Sequence, residues 1–348
     1  LFDLAARFNR PSGVAVDGAG NVYLPDSDNH TVRKVVPASA TVTTFAGATS
    51  QLGGTDGPAM TSRWNAPGGA VFDGADNLYV SDTENHTVRK IVLSTGVVST
   101  LAGRAGTPAS VDGMGTVARF YRPAGLALDG AGNLYVADTS NHTVRKIVLT
   151  TSAVSTVAGG ASQVGSTDAM GTAARFFNPQ SLAFDKSGNL FIADAGNHTV
   201  RKFLPSTGAV STVAGTAGVT GGSDGTGPSA QFGMLGDLTM DGAGNLYVVD
   251  QGNHLIRKLV PSTGTVTTLA GMAGQAGSID GTGSAARFRS PSGIALDPSG
   301  NLLIADTNNS TLRRLDPVTL SVTTLAGIAG QIGVKLGPLP ARLNRPLA

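Results

Sequence analysis

Short apolar runs alternate with turn-forming residues along the whole chain. Between residues 123 and 158 there are four such runs, at residues 125–129, 134–138, 143–148 and 153–158. Gly, Asn, Asp, Ser and Thr fill the gaps between them. Runs of this length that are bounded by turn residues predict β-strands. This part of the chain therefore predicts four sequential strands joined by short turns.

The four-strand pattern returns at intervals of 56 residues. The copies begin at Pro11, Pro67, Pro123, Pro179, Leu235 and Pro291. Four antiparallel strands make one twisted blade, and blades packed around an axis leave only short, protected edges. We therefore predict an all-β fold, a six-bladed β-propeller with four antiparallel strands per blade. The repeat is unbroken, so residues 1–348 are predicted to form a single domain.

The turn between the first two strands reads Asp-Gly-Ala-Gly-Asn in several copies. A residue near the end of such a turn needs the left-handed conformation, which glycine adopts without steric cost. Five copies have glycine there, namely Gly20, Gly132, Gly188, Gly244 and Gly300. In the second copy we expect Asp76 to take this conformation, because Asp tolerates it better than most residues.

A long linker precedes each first strand, and the linker at residues 160–178 has 19 residues. Connections in compact domains usually have about 4–6 residues. Each of five linkers carries an aromatic residue near its end, and these are Trp64, Phe120, Phe176, Phe232 and Phe288. We predict that these aromatic side chains plug the core between neighbouring blades.

The loop between the second and third strands carries the most regular motif. Five copies contain Asn-His followed by Thr or Leu, as in Asn141-His142-Thr143, whereas the sixth reads Asn309-Ser310-Thr311. With the flanking Gly-Asn-Leu-Tyr-Val-Ala-Asp phrase, the motif resembles the signature of the NHL repeat family over essentially the whole chain. The resemblance implies a six-bladed propeller that acts as an interaction module. Some related propellers are metal-assisted lyases or hydrolases, so the fold alone does not decide the function.

Charge and composition exclude several classes of function. The formal net charge is +2, and no cysteine is present. Twelve of the 25 basic residues lie in Arg-Lys or Arg-Arg pairs spread evenly over the third strands. We expect these side chains to pair with acids between blades. A nucleic-acid binder concentrates its basic residues on one face, so we predict no nucleic-acid partner. The chain contains no run of 18 apolar residues, so the sequence predicts no membrane-spanning helix.

The five histidines all belong to the repeated motif. Equivalent positions on the third strands lie more than ~10 Å apart around a six-fold ring, because strands are spaced about 4.8 Å apart. Metal–nitrogen bonds of about 2.0–2.1 Å cannot bridge that separation. We therefore expect each histidine to bond within its own blade, and we predict no metal site and no cofactor. The repeated aspartates are likewise interpreted as scaffold.

Departures from the repeat are the candidate functional residues. Tyr121, Arg122, Phe177 and Met234 lie in linkers just before first strands, and Asp237 replaces a glycine of the first strand. The predicted topology puts the linkers and the histidine motifs on one face, so these residues form a candidate binding patch at the mouth of the central channel. The alternative is neutral variation.

The two ends of the chain resemble each other, since residues 336–346 match residues 1–11. Residues 335–348 are therefore predicted to begin a further repeat-like linker. Only one of the two segments can fill the linker position between blades six and one. We expect the fourth strand of blade six, residues 322–326, to close the ring beside blade one. The first residue is Leu1, which suggests a processed or trimmed form.

These observations favour a non-enzymatic recognition scaffold that binds a protein or carbohydrate on the linker face, outside the cell or at its surface. One alternative is a metal-assisted lyase or hydrolase at the central channel, for which Asp237 is the candidate acid. Another is a structural subunit that self-assembles into an extracellular fibre or surface array.

Overall fold

The computed structural model describes residues 6–333. These residues form six antiparallel β-sheets. The first strand of each sheet packs against the first strands of both neighbouring sheets, and blade six meets blade one. The predicted six-bladed β-propeller is therefore confirmed.

Each blade is a meander that runs outward from the axis. The first, innermost strands are Ala15–Val16, Pro67–Phe72, Pro123–Leu128, Pro179–Phe184, Leu235–Met240 and Gly293–Leu296. The second strands are Val22–Asp26, Asn77–Asp82, Asn133–Asp138, Leu190–Asp194, Leu246–Asp250 and Leu302–Asp306. The third strands are Thr31–Val36, Thr87–Val92, Thr143–Val148, Thr199–Phe203, Leu255–Val260 and Thr311–Leu315. The fourth strands are Thr41–Gly47, Val97–Gly103, Ala153–Ala158, Val210–Ala214, Thr265–Ala270 and Ser321–Ala326.

Four blades have a fifth outer strand that the sequence did not predict. In blades two, three, five and six a two-residue segment of the preceding linker pairs with the fourth strand. These segments are Gly57–Pro58, Gly113–Met114, Gly225–Thr226 and Gly281–Thr282. The long linker thus continues the blade that follows it.

The helices of the described residues are single 3₁₀ turns of three residues, and none is long and apolar enough to cross a membrane. One turn follows each second strand, at Ser27–Asn29, Thr83–Asn85, Thr139–Asn141, Ala195–Asn197, Gln251–Asn253 and Thr307–Asn309. We call the segment formed by each of these turns and the His or Ser that follows it a histidine loop. The remaining turns are Pro37–Ser39, Gly115–Val117, Gly171–Ala173, Gly227–Ser229 and Gly283–Ala285.

The linker aromatic residues occupy the predicted position between blades. Phe120 is fully buried in a cluster that includes Val88 and Ala102 of blade two and Val136 and Ile147 of blade three. Trp64, Phe176, Phe232 and Phe288 are equally buried. The prediction of an apolar plug is confirmed.

In the turns between the first two strands, the predicted residue adopts the left-handed conformation in five blades but not in blade two. The five predicted glycines have φ between 77° and 87°. Asp76 does not adopt positive φ, and Gly74 takes that conformation instead, with φ of 80°. The expectation for Asp76 was wrong, because Gly74, which adopts positive φ without steric cost, supplies the left-handed residue of this turn; the Asp76 carboxylate accepts the backbone N–H of Ser94 at 2.9 Å.

Both ends of the described chain meet where the ring closes. Phe8 forms a parallel bridge with Ile332, as Trp64 does with Leu52 in the next linker. Phe8 also shares a buried cluster with Leu325 and other residues of blades six and one. The amino-terminal segment therefore fills the second half of the linker between these blades. The repeat-like residues 335–348 lie outside the described part of the chain.

Phe120→Ala should lower the free energy of unfolding by about 3–5 kcal/mol, because it leaves a cavity between two blades. Urea denaturation followed by circular dichroism measures the change. Val318→Ala is the control, since Val318 is 88% exposed and its truncation should alter stability by less than about 0.5 kcal/mol. Similar small losses for both variants would show that the aromatic plug is dispensable.

Candidate functional site

The histidine loops and the linker ends lie at the same end of the ring, around the mouth of the central channel. Each 3₁₀ turn ends at a residue in the left-handed conformation, and φ at these residues is 57° to 63°. They are His30, His86, His142, His198, His254 and Ser310. This conformation reverses the chain sharply enough for the third strand to start at the next residue.

A fully buried arginine on each third strand holds the preceding linker in place. In blade three, Nη1 of Arg145 donates to Asp138 at 2.8 Å and to the carbonyl oxygen of Arg119 at 2.9 Å. Its Nη2 donates to Asp112 of the linker at 2.7 Å. The guanidinium carbon lies 5.1 Å from the ring centroid of Phe120, within the range of a cation–π contact. We call this arrangement the arginine clamp.

The clamp recurs around the ring. The equivalent arginines are Arg33, Arg89, Arg145, Arg201, Arg257 and Arg313. In blades two to six of the described chain a linker aspartate joins, and these are Asp56, Asp112, Asp168, Asp224 and Asp280. The expected pairing between blades was therefore wrong. Each arginine binds an aspartate of its own blade and backbone or side-chain oxygens of the linker leading into that blade, as Arg145 does with Asp138, Arg119 and Asp112.

The strand-two aspartates of the clamp are buried acids with structural partners. Burial raises the pKa of Asp138 to about 6, against the opposing effect of Arg145 and of hydrogen bonds from Asn141 and the backbone N–H of Tyr121. Burial likewise raises the pKa to about 6 in Asp26, Asp82, Asp194 and Asp306. Each of these carboxylates already accepts bonds from the scaffold, which supports the interpretation of the repeated acids as scaffold.

The histidines connect neighbouring blades. Nδ1 of His30 accepts the backbone N–H of Ala66, at the end of the linker leading into the next blade, at 3.2 Å. His86, His142 and His254 make the equivalent bond at 3.1 to 3.3 Å. The expectation that each histidine bonds within its own blade was therefore wrong. The left-handed loop end directs the ring toward the next linker.

His198 differs from the other four histidines, because its Nδ1 faces a hydrogen-bond acceptor and theirs face a donor. Its Nδ1 lies 2.9 Å from the carbonyl oxygen of Gly233. The linker residue after Gly233 is Met234, whose φ is not positive, unlike that of Ala66, Arg122, Asn178 and Ser290 in the other linkers. The backbone conformation at the end of the linker before blade five thus differs from that in these other linkers.

Two adjoining cavities hold four of the five predicted site residues. The mouth cavity, of about 460 Å³, is lined by Arg122, Met234 and Asp237 among others. The side cavity, of about 570 Å³, is lined by Phe177, Arg122 and Met234 and extends to His198. Tyr121 lines neither cavity; its ring packs edge-on against His86, with centroids 5.5 Å apart. The patch remains a prediction, but four of its members lie together.

The sequence analysis did not select several residues of these cavities. Glu84 binds Nε of Arg122 at 2.9 Å across the two cavities, and Gln180 lines both. Glu84 is the single glutamate of the chain, and Gln180 stands where other copies have Ser, Gly or Ala. Aligning the six copies position by position would have identified both residues, because each differs from its equivalents in the other copies.

Asp237 lies on the innermost strand of blade five, where neighbouring first strands approach each other closely. Its equivalents are Gly13, Gly69, Gly125, Ser181 and Gly293. A Cβ atom on Gly293 would lie 1.8 Å from the carbonyl oxygen of Ser12, and one on Gly69 would lie 2.4 Å from that of Ala124. The blades therefore approach too closely there for most side chains. We call this ring of residues the waist.

The Asp237 carboxylate links three blades at the waist. Oδ1 accepts the hydroxyl of Ser181 in blade four and the backbone N–H of Leu238, and Oδ2 accepts the N–H of Ile294 in blade six at 3.0 Å. Burial raises the pKa of Asp237 to about 6, although these hydrogen bonds oppose the shift. Within residues 6–333, no three His, Cys, Asp or Glu side chains are grouped as a metal site requires.

Comparison with known sequences identifies the repeat. The NHL repeat model matches residues 8–35, 120–147, 176–203 and 288–315. The chain is an NHL-repeat β-propeller. It is 28% identical to NHL repeat-containing protein 2 of Bos taurus over 94% of this chain and 49% of that protein. It is 27% identical to the chloroplastic protein SUPPRESSOR OF QUENCHING 1 of Arabidopsis thaliana over 88% of this chain and 30% of that protein. The NHL-repeat chain therefore spans half the length of these relatives or less.

Solved structures share the fold at low sequence identity. An auxiliary nutrient binding protein from Bacteroides thetaiotaomicron superimposes with a TM-score of 0.66 and 18% identity, over 91% of this chain and 70% of that one. Virginiamycin B lyase from Staphylococcus aureus gives a TM-score of 0.58 and 11% identity, over 93% and 86%. The NHL-repeat propeller thus has the same fold as a binding protein and as an enzyme.

Asp237→Asn should change how stability depends on pH. The folded protein binds a proton at Asp237 below a pKa of about 6, whereas the unfolded chain does so only near the ordinary value of 3.8. The contribution of Asp237 to the free energy of unfolding therefore grows as the pH falls from 7 to 5. The melting temperature of the unsubstituted protein, minus that of the variant, should increase over this range.

Asp241→Asn, in the same blade, is the matched control. Burial would raise the pKa of Asp241, but hydrogen bonds from the Asn245 side chain and backbone outweigh it and hold the pKa below its usual value. The stability contributed by Asp241 is therefore lost as the pH falls through that lowered pKa, so the difference for this control must not increase toward pH 5. Identical trends for the two variants would contradict the assignment.

Proposed function

We propose that this NHL-repeat propeller is a non-enzymatic recognition module whose binding surface is the face formed by the histidine loops and linker ends. The observation that carries the proposal is the grouping of repeat-breaking residues around two open cavities. Arg122 and Met234 line both cavities, and Phe177 lines the side cavity. Arg, Met and aromatic residues are enriched in interfaces between proteins. A protein or carbohydrate is the proposed partner class.

The exposure of the apolar residues supports this choice of face. Tyr121, Phe177 and Met234 are 41%, 37% and 52% exposed, and they come from three successive linkers. Their equivalents in other linkers are mostly polar or small, such as Asn9, Asn65 and Ala66. Large exposed side chains beside a concave surface are typical anchors of a binding site.

The alternative of a metal-assisted lyase or hydrolase has less support. Its candidate acid, Asp237, already accepts bonds from Ser181, Leu238 and Ile294. The donor set in residues 6–333 does not fit a metal ion, since no group of three metal-binding side chains is formed there. The similarity to virginiamycin B lyase concerns the fold alone.

The alternative of a self-assembling structural subunit has one supporting observation. Val111, Met114 and Val117 are exposed apolar residues of the linker before blade three, at its outer edge. We retain a location outside the cell or at its surface as part of the proposal, supported by the composition rich in Gly, Thr, Ala and Ser.

Replacing Tyr121, Phe177 and Met234 together by alanine should weaken binding of a partner by at least about tenfold, which corresponds to 1.4 kcal/mol. A partner captured with the unsubstituted chain and then purified provides the titration. Val318→Ala, in a turn at the opposite end of the ring, should leave the affinity unchanged. Unchanged affinity in the triple variant would remove this face as the binding surface.

Metal analysis of the purified protein, with thermal unfolding before and after a chelator, tests the enzymatic alternative. We expect no stoichiometric metal and the same melting temperature in both conditions. A stoichiometric metal whose removal leaves the fold intact would favour the lyase or hydrolase and direct attention to the channel.

A further inference from the structure

The peptide unit between Gly233 and Met234 is turned over relative to its counterparts. In the linker before blade four, the carbonyl oxygen of Phe177 accepts the N–H of Gly196 at 2.7 Å. At the equivalent place before blade five, Gly252 donates to the oxygen of Met234 instead, at 3.0 Å. The oxygen of Gly233 is thereby free to face His198. Two independent hydrogen bonds thus report the same reversal.

Glycine at two positions makes this reversal feasible. A Cβ atom on Gly252 would lie 2.6 Å from the nitrogen of Met234, and one on Gly233 would lie 3.0 Å from Cα of Gly252. The two segments therefore approach each other more closely than side chains allow. The sequence pairs Gly233 with Gly252 only at this linker, whereas the other linkers have Asn, Tyr, Phe or Arg in place of Gly233.

The reversal determines which nitrogen of His198 carries the proton. A carbonyl oxygen only accepts hydrogen bonds, so Nδ1 of His198 must be protonated. In the neutral ring Nε2 then has a free lone pair. His30, His86, His142 and His254 accept an N–H at Nδ1, so their neutral rings carry the proton on Nε2. His198 is the one histidine of the five that offers an acceptor nitrogen away from the backbone.

In the part of the chain that the structure describes, no aromatic side chain of a linker packs against the ring of His198. The Tyr121 ring lies against His86, and the Phe177 ring lies against His142 at 5.8 Å. Gly233 occupies the equivalent linker position for His198 and has no side chain to cover it. His198 is half-buried and lines the side cavity.

The side cavity combines two apolar walls with unpartnered polar side chains. Phe177 and Met234 supply the walls. A Cβ atom on Gly196 would lie 2.6 Å from the Phe177 ring, so the ring packs directly against this glycine. The side chains of Ser140, Asn178 and Gln180 also line the cavity. The structure shows no hydrogen bond from these three side chains to another described residue.

The charge of the cavity is balanced. Its two charged side chains, Glu84 and Arg122, are paired with each other. A charged ligand would find no unpaired opposite charge among the described lining residues. Ser, Asn and Gln both donate and accept hydrogen bonds, and Nε2 of His198 accepts. This combination suits a neutral ligand with several hydroxyl groups and an apolar face that can lie on Phe177.

We propose that the side cavity binds a neutral saccharide, with a sugar hydroxyl donating to Nε2 of His198 and the C–H face of the sugar packed on Phe177. The cavity volume of about 570 Å³ lies within the usual range for small-ligand sites, about 300–1,000 Å³. The inference rests on the proposed recognition function and specifies its ligand class. A protein partner of standard size buries about 800 Å² of each surface, which is a larger area than this cavity alone would contribute.

The first experiment measures the histidine tautomers. Long-range ¹H–¹⁵N spectra of the full chain, at a pH where the histidines are neutral, distinguish a protonated Nδ1 from a protonated Nε2. We expect His198 to carry its proton on Nδ1 and the other four histidines on Nε2. Five identical tautomers would overturn the proposal before any ligand is added.

The second experiment measures binding to an array of neutral oligosaccharides, with sialylated and sulfated glycans as charged comparisons. A binder from the array is then titrated against His198→Asn, in which the amide still donates to the oxygen of Gly233 but Nε2 is absent. Its affinity should fall about tenfold, since one hydrogen bond to the ligand is lost. His254→Asn, outside the side cavity, should keep the affinity and provides the matched control.

The outcomes separate this proposal from the recognition function. Equal affinities of the His198→Asn variant and the unsubstituted chain would overturn the role of Nε2. Binding only to charged glycans, or no shift of the His198 ¹⁵N signals with any neutral saccharide at millimolar concentration, would overturn the ligand class. A purified protein partner that depends on Tyr121, Phe177 and Met234 would in that case leave the recognition function standing. A catalytic metal in the channel would count against both.

Discussion

The arginine clamp is the interaction on which the rest of the propeller depends. A guanidinium group buried without partners is strongly unfavourable, and removing one partner of a buried ion pair costs about 3–5 kcal/mol. In blade three Arg145 meets this requirement with Asp138 of its own blade, Asp112 of the linker and the ring of Phe120. One side chain therefore fixes the second strand, the linker and the plug between blades. Each blade and its linker form one unit.

The buried arginine and its strand-two aspartate recur in all six blades, and the linker aspartate joins them in blades two to six of the described chain. The histidine loops and linker ends are therefore held in one register around the channel mouth. Side chains at the rim can then vary without disturbing the core. The waist is less tolerant, since Gly69 and Gly293 leave no space for a Cβ atom. Asp237 is accommodated there together with Ser181, which donates to it from the neighbouring blade. The two departures from glycine form one structural pair.

The linker before blade five breaks the repeat through its backbone. Gly233 and Gly252 allow a peptide unit to turn over, and this changes the hydrogen-bonding role of His198 without changing the residue itself. A repeat scaffold can thus acquire a chemically distinct position from substitutions at neighbouring residues. The altered histidine, the uncovered ring and the apolar walls of Phe177 and Met234 all occur at the same side cavity.

The sequence by itself determined the six blades, their strands and the buried aromatic plugs, because these depend on periodic apolar positions and on turn residues. It also identified Arg122, Phe177, Met234 and Asp237 as departures from the repeat. Only the tertiary structure decided that the arginines bind their own linkers and that the histidines bond to the next blade. It likewise showed that Asp76 does not take the left-handed position and that Gly233 reverses the partner of His198. Those outcomes depend on contacts between residues 18 to 36 positions apart in the chain, and the direction of a peptide unit or a side chain across such a contact is set by packing in three dimensions.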